Sequence, residues 1–240
     1  MKVVIPIAGR GSKFISAGYK EPKPLIMIKG KPMVKWATDA LPFLQLNNDL
    51  IFIILKEQAE QYGLDWKLRV LYGAEVKIII SQEITDGAAC TILLAKDLIN
   101  TDEKLIIYNA DQYFKDSIDK VIQEKDSEVK GIIPVFRATH QKWSYVLLNE
   151  EGYVEKTAEK EPISNLATVG LYYFSHGRDY VWAAEEMIKK NLRVSGEFYV
   201  CPVYNELIAR GDKIIAPEVK EMWSLGIPED VEYFKKYYRE

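Results

Sequence analysis

Cysteine, histidine and long apolar runs are scarce in this chain, and each scarcity argues against a class of function. Two cysteines, Cys90 and Cys201, stand in 240 residues. Neither has a CxxC neighbour, which argues against a disulfide framework and against a zinc cluster. The two histidines, His140 and His176, lie far apart in sequence and give no basis for a His-ligated metal. No run of 18 apolar residues occurs, so no membrane-spanning helix is expected. No signal-peptide cleavage site follows the opening run MKVVIPIAG, so a cytoplasmic location is expected. Repeats, low-complexity tracts and linkers are absent too. A chain of this length with 48% hydrophobic and 28% charged residues is read as one globular domain with one sizeable core.

Charge is distributed unevenly. The net charge of −3 argues against a nucleic-acid partner. Yet residues 1–35 carry eight basic side chains (Lys2, Arg10, Lys13, Lys20, Lys23, Lys29, Lys31 and Lys35) against the single acid Glu21. The other 205 residues hold the remaining 24 basic and 34 acidic side chains. One end is thus cationic on an otherwise acidic protein, which is either a solvated face or a pocket for a small polyanion. The glycines among those charges favour the pocket.

Short apolar runs alternate with amphipathic stretches. Strands are predicted at Lys2–Ile7, Leu50–Leu55, Val76–Ile80, Leu105–Asn109 and Val129–Val135. Helices are predicted at Pro32–Leu44, around Glu57–Leu71, at Ala88–Leu98 and at Ser117–Lys125. The second half reads as a hairpin, Tyr145–Leu148 with Tyr153–Lys156 around Glu151-Gly152. A strand at Thr168–Phe174, helices at Asp179–Lys190 and Phe198–Ala209, and a last helix after Pro228 follow. The pattern predicts an α/β fold, a single Rossmann-like, mostly parallel mixed sheet flanked by helices. An insertion is expected in its second half, within one domain spanning 1–240.

The first strand runs into Ala8-Gly9-Arg10-Gly11-Ser12-Lys13-Phe14. Ligands of open α/β sheets bind beyond the carboxyl ends of the strands. Glycines there let backbone N–H groups approach phosphate, and Arg10 and Lys13 can add charge-assisted contacts. A tight strand exit is the other reading of such a turn. The loop is neither GxxxxGK[ST] nor GxGxxG, since Phe14 stands where the third glycine would. Then comes Glu21-Pro22-Lys23-Pro24-Leu25, in which two prolines fix the backbone on either side of one lysine.

AGRGSKF followed by EPKPLIMIKGKPMVKWATDAL resembles the signature of the sugar-phosphate nucleotidylyltransferases, the family that includes glucose-1-phosphate thymidylyltransferase, and the resemblance runs over most of the chain. It implies that Ala8, Gly9, Arg10, Gly11, Ser12 and Lys13 bind NTP phosphates and that Lys23 neutralises charge at the reacting phosphates. Lys13 departs from the arginine usual there and loses its bidentate fork. Gln82 and Gly87, in SQEITDGAAC, are similar to the pair that reads the base. Asp111, in Tyr108-Asn109-Ala110-Asp111-Gln112 after a strand, is similar to a strand-terminal ligand of Mg²⁺. A second aspartate usually comes from W-x-D-x-G, but here Trp223-Ser224-Leu225-Gly226 puts Ser224 in its place. Glu229 and Asp230 read as ordinary first-turn residues of the next helix and are left out of the site.

On the acceptor side, Glu159-Lys160-Glu161-Pro162, Gly170 and Glu197 are similar to the segments that hold the phosphorylated acceptor. Tyr145-Val146 replaces a tyrosine–glycine pair, which would put bulk into the acceptor's space. The resemblance implies that 1–135 binds the nucleotide and 136–240 the acceptor. The implied reaction joins an NTP to a sugar 1-phosphate or another small phosphate with release of pyrophosphate. Catalysis would rest on Lys13, Lys23 and Asp111. The compact length and AGxGS loop are similar to the smaller cytidylyltransferases, so CTP is expected, with dTTP, UTP and GTP open. A GT-A glycosyltransferase is the rival reading, but it needs a DxD motif and NADQ offers one carboxylate. Neither nucleic acid nor membrane is an expected partner, and a homo-oligomer is left open.

Overall fold

A computed structural model describes residues 1–41 and 49–239. In chain order the first half runs β1 (Lys2–Pro6), α1 (Ser12–Ser16), β2 (Met27–Ile28), β3 (Lys31–Pro32), α2 (Met33–Asp39), β4 (Asp49–Leu55), α3 (Lys56–Tyr62), α4 (Leu64–Tyr72) and β5 (Lys77–Ser81). It continues with α5 (Ala88–Leu93), α6 (Lys96–Ile99), β6 (Leu105–Tyr108), β7 (Gln112–Lys115), α7 (Ile118–Glu124) and β8 (Val129–Ile132). The second half holds β9 (Val135–Arg137), β10 (Ser144–Leu148), β11 (Val154–Glu159), β12 (Leu166–Thr168), β13 (Leu171–Phe174), α8 (Gly177–Lys189), α9 (Tyr204–Ala209), β14 (Lys213–Ile215), β15 (Glu221–Ser224) and α10 (Pro228–Tyr237).

Among the described residues, seven strands form the central sheet in the order β14-β8-β13-β6-β1-β4-β5. The pairs β1–β4, β1–β6, β4–β5 and β8–β14 are parallel, while β13 runs antiparallel to both its neighbours. The sheet is therefore mixed, as expected, with helices on both faces. Its strands read as unbroken apolar runs because alternate residues enter different cores. Val3, Ile5, Phe52, Ile54, Ile106 and Tyr108 face the layer of α2, α4 and α7. Val4, Ile51, Ile53, Leu105 and Ile107 face that of α5, α8 and α9.

Two predicted strands cross between sheets. The run Val129–Val135 divides at Ile133-Pro134, so β8 stays in the central sheet and β9 enters a four-stranded antiparallel sheet ordered β11-β10-β12-β9. Thr168–Phe174 divides at Gly170 in the same way, because a left-handed residue (φ 72°) breaks the ladder there. Four predicted helices are also broken or shorter than their patterns. Glu57–Leu71 is α3 and α4 broken at Gly63, Ala88–Leu98 is α5 and α6, and the run from Phe198 begins its α-helix only at Tyr204. The helix predicted over Pro32–Leu44 ends at Asp39, and residues 42–44 lie outside the described residues.

A third core joins the two ends of the chain. Phe14, Ile26, Ile28, Met33 and Trp36 pack against Leu225, Val231, Phe234 and Tyr238. The Trp36 ring meets Phe234 edge-on at 5.0 Å, and its indole N–H donates to the Ile28 carbonyl at 2.7 Å. Aromatic pairs of this geometry add about 0.5–1.5 kcal/mol each beyond area burial. This cluster fixes α10 beside the lysine-bearing loop of the first 35 residues.

Gly170 gives the clearest test of this architecture. A β-carbon there would lie 1.8 Å from Gln112 Oε1 and 2.8 Å from Asn109 Nδ2. Gly170→Ala is expected to lose about 2–4 kcal/mol through left-handed strain plus overpacking, read as a lower urea midpoint. A variant that unfolds with the parent would mean that Gln112 swings aside at no cost.

Candidate active site

A cleft of about 610 Å³ opens where β1 and β6 end. Ile7 extends β1 by one hydrogen bond to the Ile53 carbonyl (2.9 Å), after which the chain turns through exposed Gly9 and Arg10. Gly11 is left-handed (φ 67°), and its carbonyl accepts from the N–H groups of Phe14 and Ile15 at the start of α1. A β-carbon on Gly11 would sit 3.0 Å from Lys23 Cβ, so the glycine loop and the Pro-Lys-Pro loop are in close contact. Pro22 and Pro24 are buried, which anchors the backbone around Lys23.

The Lys23 ammonium lies 5.5 Å from the Phe14 ring centre and donates to Asp111 Oδ2 at 2.6 Å. Both side chains are largely shielded, with 22% and 28% of their surface exposed, so solvent screens the pair less than it would a surface ion pair. Asp111 is held by its surroundings: its carbonyl accepts from Leu225 N–H at 2.7 Å, and Tyr108 Oη donates to the Gln112 carbonyl at 2.5 Å. β15 pairs with β7 and brings Ser224 opposite Gln112, next to Asp111. Gly226 then leaves a gap ringed by oxygen. A β-carbon there would lie 3.5 Å from Ser224 Oγ, 3.6 Å from Asp111 Oδ2 and 3.9 Å from Asp230 Oδ2. Ser224 Oγ donates to Asp230 Oδ2 at 2.5 Å, and Lys142 Nζ reaches both Asp230 oxygens at 2.9 and 3.1 Å.

The far wall comes from the second sheet. Glu159 ends β11 opposite Ser144 of β10, whose hydroxyl donates to the Glu159 carboxylate. Burial pushes the Glu159 pKa above the usual carboxylate range, against the lowering pull of Ser144 and Lys160, while Glu197 adds to the rise. Lys160 is left-handed (φ 58°); its ammonium donates to Tyr199 Oη at 2.5 Å and lies 4.6 Å from that ring's centre. Burial, then the carboxylates of Glu197 and Glu159, raise the Tyr199 phenol.

Gly9, Gly11, Lys13, Lys23, Asp111, Glu159 and Lys160 all line this one cleft. The other candidates do not. Arg10 points to Glu57 at 3.5 Å, and Ser12 and Gln82 are exposed, Gln82 just past the edge strand β5. Ala8 is buried, and Glu197 is exposed beside Tyr199. Gly87 and Gly170 shape the cleft from behind. A β-carbon on Gly87 would strike the Phe198 carbonyl at 2.5 Å, so this glycine lets the two halves of the chain meet. Val146 is fully buried in the core and does not line the cleft, which corrects the expectation that it crowds the acceptor. Sequence reasoning set Asp230 aside and missed Lys142, Ser144 and Tyr199. Asp230 does sit in the first turn of α10, but the turn at Gly226 carries that helix end into the cleft.

Comparison with known proteins places the chain in a family and a fold. A family model described as nucleotidyl transferase matches residues 2–223. The chain is 26% identical over 245 residues to the bifunctional protein GlmU of Methanocaldococcus jannaschii, covering 99% of this chain and 54% of that one. The chain thus spans about half the length of several curated relatives it matches, this one included. It is 24% identical to the UTP–glucose-1-phosphate uridylyltransferase AglF of Haloferax volcanii, covering 96% of this chain and 93% of that one. The crystal structure of a nucleoside-diphosphate-sugar pyrophosphorylase from Vibrio cholerae RC9 superposes with a TM-score of 0.84 at 26% identity, over 98% of this chain and 99% of that one.

The raised pKa of half-buried Glu159 has a consequence for stability. A carboxyl whose pKa is raised on folding contributes stability that is fully present below its unfolded pKa and lost as pH rises through the folded value. Glu159→Gln removes that loss. Its urea midpoint should gain on the parent's as pH rises from about 4 to about 8. A difference between the two that does not change with pH would show that Glu159 ionises freely in the fold.

Proposed function

The chain belongs to the nucleotidyl transferase family, and from that premise we propose that it joins an NTP to a sugar 1-phosphate or a similar small phosphorylated acceptor and releases pyrophosphate. The observation that carries this reading is a single cleft with two differently built ends. One end has the glycine loop with Lys13, and Lys23 held on Asp111; the other has Glu159, Lys160 and Tyr199. In this reading residues 1–135 bind the nucleotide and 136–240 the acceptor. Gln82 and Gly87 stand on the base side. CTP and UTP are the first nucleotides to try: CTP from the likeness to small cytidylyltransferases, UTP from the name of a relative that matches over nearly its whole length.

A phosphate oxygen of the acceptor attacks the α-phosphorus of the NTP in line. One P–O bond forms there, the bond to the β-phosphate's bridging oxygen breaks, and pyrophosphate leaves. The nucleophile is already anionic, so no general base is needed. Catalysis then rests on positioning and on charge stabilisation by Lys13, Lys23 and Lys160. Lys160 is fixed by Tyr199 and is suited to the acceptor phosphate, and Glu159 to an acceptor hydroxyl.

The oxygen-ringed gap at Gly226 fits a hard divalent cation, which takes one or two carboxylates plus substrate oxygens. Asp111 and Asp230 are the carboxylates that would hold Mg²⁺, with Ser224 fixing Asp230. When bound, the ion would neutralise charge on the phosphates.

Pyrophosphate release, measured with four NTPs against a panel of phosphorylated acceptors, is expected only when both substrates are present. Release without any acceptor would mark a hydrolase, and no release with any pair would defeat the reading. For the productive pair, Lys23→Ala is expected to lower kcat by roughly 10²-fold, about 2.7 kcal/mol in the barrier. An unchanged kcat would leave Lys23 a structural role only.

A further inference from the structure

Gln58 lies in the first turn of α3, 5% exposed, outside the lining of the cleft. Both ends of its amide are used. Oε1 accepts from Leu55 N–H at 3.2 Å, and Nε2 donates to the Gly9 carbonyl at 3.0 Å. The first bond caps a helix. The second reaches across 49 residues to the glycine loop.

The peptide it grips is otherwise weakly held. Gly9 has no β-carbon, and one placed there would meet nothing within 4 Å, so packing does not fix its orientation. A glycine peptide turns over at little steric cost. In a trans peptide the C=O and the following N–H point in opposite directions, and no cis bond occurs among the described residues. While Gln58 draws the Gly9 carbonyl toward α3, the Arg10 N–H points the other way. Among the described residues that N–H makes no hydrogen bond. If the peptide turned over, a carbonyl oxygen would replace the Arg10 N–H on the side away from α3, next to the stretch of cleft wall that Gly9 lines. For a polyanionic ligand that exchanges attraction for repulsion.

We propose that Gln58 is a positioning residue that locks the Gly9–Arg10 peptide with its N–H available to the NTP phosphates. This rests on the nucleotidyl-transfer reading above. Gln58 touches no substrate itself; it sets which face of the loop the triphosphate meets.

The test compares three chains: the parent, Gln58→Met, which loses both hydrogen bonds at similar size, and Gln58→Glu, which keeps the acceptor for Leu55 N–H and loses the donor to Gly9. Calorimetry measures affinity for CTP and UTP and for the matching nucleosides, cytidine and uridine. Both variants are expected to bind the preferred NTP at least roughly tenfold more weakly while nucleoside affinity stays within about twofold. The KM for that NTP should rise more than kcat falls. If Gln58→Met fails to fold, the Gln58→Glu measurement carries the test when made at high salt, where repulsion between its added carboxylate and the triphosphate is screened. NTP affinity equal to the parent's in either folded variant overturns the lock. So does an equal loss for NTP and nucleoside, which marks general disruption of the site. A parent that binds no NTP overturns the functional reading itself, and the lock with it.

Discussion

Lys23 and Asp111 lie 88 residues apart in the chain and 2.6 Å apart in the fold. Bringing them together requires most of the structure. Lys23 needs two buried prolines, the close approach of Gly11 and the Phe14 ring below it. Asp111 needs β6 beside β1 in the sheet centre and the pairing of β7 with β15, which fixes the turn that carries it. Two opposite charges placed this way serve each other until a ligand arrives. A carboxylate left unpaired in a shielded cleft is costly. The lysine offsets that cost in the free protein and, in the proposed function, would turn to a phosphate when the nucleotide binds.

A second constraint follows from the split sheets. β8 and β13 leave the central sheet at Pro134 and Gly170 and continue as β9 and β12 in the smaller one. The smaller sheet, whose β11 ends at Glu159, is therefore joined by backbone to β13, the strand beside β6. Gly87 ties the other side, since only a glycine lets the start of α5 rest on the Phe198 backbone. The two ends of the cleft are thus tied together through the two sheets and through the contact at Gly87.

Much of this was legible in the sequence, for physical reasons. Strands buried on both faces leave unbroken apolar runs, so β1, β4 and β6 stand out, and the edge strand β5 is marked by its isoleucines although Ile80 is exposed. Lys23 is marked by its prolines and Asp111 by the strand before it. Boundaries set by single residues were harder to read: the helix break at Gly63 and the sheet change at Gly170 are decisions of one backbone angle. Asp230 was hidden because first-turn acids of helices are common, and only the turn at Gly226 places this one near Asp111. Gln58 carries no local signal at all, since its partner is 49 residues away. Gln82 shows the reverse: its sequence context singles it out, but its side chain lies exposed beyond the edge strand.

In the proposed function, the Asp111 carboxylate, with Asp230 across the gap at Gly226, would seat a divalent cation shared with the nucleotide. Electron paramagnetic resonance of Mn²⁺, titrated into the chain together with NTP and no acceptor, measures this without relying on turnover. The parent is expected to hold Mn²⁺ more tightly than the free nucleotide does, and Asp111→Asn to lose most of that extra binding. If Asp111→Asn holds the ion as tightly as the parent, the seat lies elsewhere and the account is wrong.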